Sequence, residues 1–178
     1  ADNMIVPRYA QFQSDLAALE VALSAFDAAD LLSLITLQEQ FKSTYLSWQS
    51  VSAFEFGPAA EYSALLRVNC NSFPANVSRV EENIEAGTYN LAFPSNYQAK
   101  GLPAFDYLLF HTSQNDLLVE LSNASRIGYM QDCLADMQAR VDEVVNAWDL
   151  YRAVFVGSAG NDQNSSLSLL FNQFLYDY

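Results

Sequence analysis

Nine apolar residues, Ile127, Met130, Leu134, Met137, Val141, Val144, Trp148, Tyr151 and Phe155, recur at steps of three and four without a fault. At 3.6 residues per turn such a row lies on one helical face, and it predicts about eight continuous turns. A long helix with one apolar stripe has to bury it against other elements. Alternating stretches of strand length are scarce in this chain, so the partners must be helices. Tyr9, Phe12, Leu16, Leu19, Leu23 and Phe26 mark a first one. A second follows directly, with Asp30 as its N-cap, Leu34, Leu37, Phe41, Tyr45 and Trp48 on its buried face, and Gly57-Pro58 as its end.

The remaining segments are shorter. One runs around Tyr62 to Val68. Ser72-Phe73-Pro74 restarts a helix, with Ser72 as cap, proline in the first turn, Val77, Val80 and Ile84 facing inward, and Gly87 as the stop. Residues 87–101 have no period but carry Tyr89, Phe93 and Tyr97, which predicts a buried or ligand-lining loop. Leu102 to Phe110 is helical, and His111 to Asn115 is a polar break. Gly157 to Ser166 is a turn, and Leu167, Leu170, Phe171, Phe174, Leu175 and Tyr178 form a last apolar face with no stop signal behind it. These patterns predict an all-α, antiparallel up-and-down helix bundle, one domain over 1–178. The missing stop signal implies a sequence or a partner surface that continues past Tyr178.

Charge removes several functions. With 21 acidic against 8 basic side chains the net charge is −13, which repels phosphate backbones and anionic membrane surfaces, so nucleic acid is not a partner. No run approaches the roughly 18 apolar residues of a membrane span. The N-terminal residues lack the features of a signal peptide, so the chain is either cytoplasmic or has lost its signal. Cys70 and Cys133 fit no zinc or redox spacing, and a disulfide and two buried thiols both remain open.

Chemistry is equally bounded. The six glycines form no phosphate loop. His111 is the only histidine and sits where a helix ends, a position that favours capping of terminal carbonyls over catalysis. Any metal centre would therefore be built mainly from carboxylates. Glu81, Glu82 and Glu85, and likewise Asp132, Asp136, Asp142 and Glu143, read as solvated helix faces. Glu55 and Asp106 stand apart because each lies among aromatic neighbours, where a carboxylate needs a partner or a path to water.

Three ordered blocks carry a resemblance. They are Leu46-Ser47-Trp48 with Phe54-Glu55-Phe56-Gly57-Pro58; Asn71 to Val77; and Lys100-Gly101-Leu102-Pro103-Ala104-Phe105-Asp106-Tyr107-Leu108-Leu109-Phe110. Together they resemble the imelysin-like family of bacterial cell-envelope proteins, classed as metallopeptidases and linked to iron uptake. The resemblance implies a periplasmic or surface-lipoprotein location and iron or another divalent metal as cofactor. It also implies that 1–178 is the first half of a two-bundle protein, whose second bundle is a further stretch of chain or a separate one. Family members carry a Gly-x-His-x-x-Glu motif proposed to bind metal. The corresponding positions here are Gly101, Pro103 and Asp106. The imidazole is therefore gone, and Glu55 and Asp106 remain as the only candidate metal ligands. The expectation is a non-catalytic protein that binds a small ligand or metal near Gly101, Pro103 and Asp106, with Trp48 and Glu55 close by. A carboxylate-only metallopeptidase and a helical protein–protein interaction module are the alternatives.

Overall fold

A computed structural model describes residues 1–61, 63–160 and 162–177, without the side chain of Asp177. Its α-helices are α1 (Ile5–Ser24), α2 (Leu31–Val51), α3 (Leu66–Cys70), α4 (Val77–Ala86), α5 (Gly101–Phe110), α6 (Gln114–Leu121), α7 (Ala124–Gly157) and α8 (Ser166–Asp177). Short 3-10 turns cover Ser52–Phe54, Gly57–Ala60 and Pro94–Ala99, and the described residues contain no strand.

The long stripe does what its spacing demands. Met130, Leu134, Met137, Val141, Val144, Trp148 and Phe155 are buried along α7, with Ile127 and Tyr151 partly so. α1 packs on both α2 and α7, burying Tyr9, Phe12, Leu16, Leu19 and Leu23 between them. α3, α4, α5 and α6 then rest on α7, and α8 rests on the turn at 52–54. Asp30 caps α2 by accepting the Leu32 N–H at 2.9 Å, and Gly87 ends α4 in the left-handed region at φ 63°.

Several local readings change. α2 ends at Val51 and gives way to the 3-10 turn at 52–54 before Gly57 is reached. α3 covers Leu66–Cys70, and Tyr62 lies outside the described residues. α4 starts at Val77, not beside Pro74: the Asn76 side chain accepts the Arg79 N–H at 3.1 Å and acts as the cap. Ser72 instead donates its hydroxyl to the Val68 carbonyl, finishing α3. Val77 is exposed, leaving Val80 and Ile84 as the buried face. The polar break is narrower than expected, because Ser113 accepts the Asp116 N–H and opens the two-turn α6.

The cysteines are both buried free thiols. Burial pushes both thiols up, Cys133 to about 12, so neither is a ready thiolate. Tyr178 is outside the described residues. On α8, Leu169 and Leu170 pack on the core and Phe174 meets Phe54 edge-on at 6.3 Å, while Leu167, Phe171, Leu175 and Tyr176 are exposed.

Candidate functional site

α5 is held in place at its first residue. Gly101 has φ +70°, and a Cβ there would stand 2.4 Å from the Cys70 carbonyl oxygen and 2.9 Å from that of Asn69. Only glycine combines that dihedral with so close an approach to the end of α3. The residue before it, Lys100, is fully buried, and its ammonium donates to Asp136 Oδ2 at 2.7 Å. Arg140 meets the same carboxylate at 3.3 Å and donates to the Ser63 carbonyl at 2.8 Å. Burial draws the Lys100 pKa below that of an ordinary lysine, against the pull of Asp136. Asp136 is thus half of an ion pair rather than part of a solvated face, which periodicity alone could not reveal.

The second polar assembly is anchored on Arg126 of α7, a mostly buried side chain. It reaches Glu81 Oε2 at 2.7 Å and Glu120 Oε2 at 3.1 Å. Tyr107 donates its hydroxyl to Glu81 Oε1 at 2.7 Å. Burial pushes the Glu81 carboxyl up, but the hydrogen bonds from Arg126 and Tyr107 outweigh it and leave its pKa below 4.5. His111 closes the end of α5: Nδ1 lies 2.8 Å from the Tyr107 carbonyl oxygen, and Nε2 lies 3.1 Å from Glu120 Oε2. It is the helix-end histidine that its position predicts. Glu81, read as solvated, is instead shared between α4, α5 and α7.

Beside the second assembly, with which it shares Tyr107 and His111, α5 opens onto a groove of about 440 Å³. Pro103, Asp106, Tyr107, Phe110 and His111 form one wall, and Tyr45 of α2 with Phe73 and Ala75 of the α3–α4 connection form the other. Tyr45, Asp106 and Phe110 also border an adjoining hollow with Phe41, Lys42 and Leu46. Asp106 is exposed, and among the described residues none pairs with it. Phe73 stands at the rim, 78% exposed.

The five residues singled out from sequence therefore separate. Pro103 and Asp106 line the groove. Gly101 is the close contact to α3 described above. Trp48 is buried against Phe12, ring centroids 5.5 Å apart, as a core residue. Glu55 is half-buried at the end of the 52–54 turn, where its carboxylate accepts the Arg67 N–H at 3.1 Å. Sequence reasoning missed Tyr45 and Phe73 as walls. Tyr45 stood in an otherwise buried stripe, and its partial exposure depends on where α5 crosses α2.

A metal does not fit this donor set. Pro103 carries no ligand atom, Asp106 offers one carboxylate, the His111 ring is held by the Tyr107 carbonyl and Glu120, and Glu55 does not line the groove. Among the described residues no three His, Cys, Asp or Glu side chains stand close enough to hold an ion. Nor is any helix of the described residues long and apolar enough to cross a membrane.

The all-helical bundle and the three sequence blocks fall together in one family. The family model for imelysin, peptidase M75, matches residues 5–176, and the chain belongs to that family. No curated protein and no solved structure matches the chain.

Proposed function

We propose that this chain is a non-catalytic, ligand-binding member of the imelysin family, working in the bacterial cell envelope, with its ligand in the α2–α5 groove. The observation that carries the reading is Pro103. It stands where the family motif has its histidine, and it lines the same concavity as the unpaired Asp106. The site thus offers a cavity and a carboxylate without the motif imidazole that a catalytic metal would need, and its own His111 ring is taken up by Tyr107 and Glu120. A volume of about 440 Å³ suits a small molecule. A connection with iron uptake follows from the family rather than from these residues.

The test is a titration of ferric and divalent ions into the protein and into Asp106→Ala, with a protein substrate assayed in the presence and absence of chelator. Negligible ion binding by both proteins and no chelator-sensitive cleavage are expected. Tight ion binding that Asp106→Ala abolishes, or cleavage that a chelator stops, would overturn the reading.

A second reading is favoured by α8. Leu167, Phe171, Leu175 and Tyr176 are exposed on one short helix, which supports a docking role toward a second helical bundle, joined or separate. Sedimentation separates the two: a tight dimer lost on Phe171→Glu supports docking through α8, and an unaltered monomer counts against self-association there.

A further inference from the structure

The groove is chemically lopsided. Tyr45, Phe73, Tyr107 and Phe110 give it four aromatic rings, and Asp106 gives it an acidic group with no protein partner among the described residues. Among the described residues no lysine or arginine lines it, and the His111 ring is engaged by Tyr107 and Glu120. Aromatic faces carry negative potential and attract cations, most strongly where water is partly excluded. The protein already uses one of these rings that way: the Lys42 ammonium lies 5.6 Å from the Phe110 ring centroid, in the adjoining hollow. The net charge of −13 sets a long-range field of the same sign.

An anionic ligand would meet Asp106 with nothing on the groove wall to neutralise it. A neutral apolar ligand would leave that carboxylate partly desolvated and unpaired, at a cost. A compact cation satisfies both the rings and the carboxylate. We propose that the groove is a binding site for a small organic ammonium ion, its head group held between Tyr45 and Phe73, away from the Phe110 face that Lys42 already covers, and neutralised by Asp106. This rests on the ligand-binding reading above and gives it a ligand class. Phe73 at the rim offers its ring to the head group, and Asp106 supplies the charge selectivity.

The experiment compares choline with 3,3-dimethylbutanol, a compound of the same shape without the charge, each titrated into the full chain and followed by amide NMR. Asp106→Asn and Phe73→Ala are titrated in parallel. Both positions are exposed, so both variants retain the fold. Choline is expected to bind saturably, with the neutral compound weaker by about tenfold or more and each variant weaker toward choline by about tenfold. Equal binding of the two compounds, unchanged in Asp106→Asn, overturns the cation assignment while the groove stands as a ligand site. Failure of both compounds to move the groove resonances overturns this proposal. If a fragment mixture also leaves those resonances unmoved, the ligand-binding reading falls with it.

Discussion

The two ends of α5 carry the same sequence block and do opposite work. At the first turn, Lys100 and Gly101 are buried, one paired with Asp136 and the other pressed on the Cys70 carbonyl. Pro103 and, from Asp106 onward, the outward side chains meet a groove, and among the described residues the Asp106 carboxylate is unpaired. The glycine of a motif of this kind is thus a packing requirement, whereas the residue five places on is free to meet a ligand. A family signature read as one unit mixes the two roles.

Substitutions break this comparison most sharply at the closed end. Gly101→Ala places a Cβ against the α3 carbonyls at a left-handed φ, and is expected to cost about 3–4 kcal/mol from strain and overpacking combined. Chemical denaturation would show the loss. Asp136→Ala comes next, because it leaves the buried Lys100 ammonium without its partner. A loss of about 3 kcal/mol is expected, and Lys100→Met introduced on top should recover much of it. A closed end that tolerates both single changes would not be the clamp described here.

Glu81→Gln tests the network behind the groove. Glu81 is partly exposed, so only about 1 kcal/mol is at stake. The pH dependence is more informative than that loss. Because the folded-state pKa of Glu81 is below 4.5, its contribution is fully present above that value and is lost as pH falls through the lowered folded pKa. The wild type should therefore lose stability faster than Glu81→Gln on acidification below about pH 4. Parallel pH curves for the two proteins would remove Glu81 from the account. The smallest effect belongs to the open end: Asp106→Asn should leave stability within about 0.5 kcal/mol of wild type, since no protein group loses a partner.

Much of the fold was legible because amphipathic helices announce themselves. The α7 stripe, the Asp30 cap and the Gly87 stop each follow from local spacing or local backbone chemistry. The errors share a cause too. Ser72 and Asn76 are both competent caps, and which one serves depends on the Asn76 N–H donating to the Gln98 carbonyl, 22 positions away. Lys100 looks like any surface lysine until α7 brings Asp136 beneath it. Glu81 and Asp136 lie in acidic clusters whose solvent exposure is the usual outcome, and only the packing of α4, α5 and α7 decides otherwise. Within the site, Pro103 and Asp106 could be chosen from sequence, whereas Tyr45 and Phe73 come from a helix and a loop that meet α5 only in three dimensions.

The contrast between the two ends of α5 is tested most directly by mapping amide shifts during a choline titration of the full chain. Movement is expected at Tyr45, Phe73, Asp106 and Phe110, with Cys70, Lys100 and Gly101 unmoved. Movement centred on Cys70, Lys100 and Gly101, with Asp106 and Phe73 silent, would contradict it.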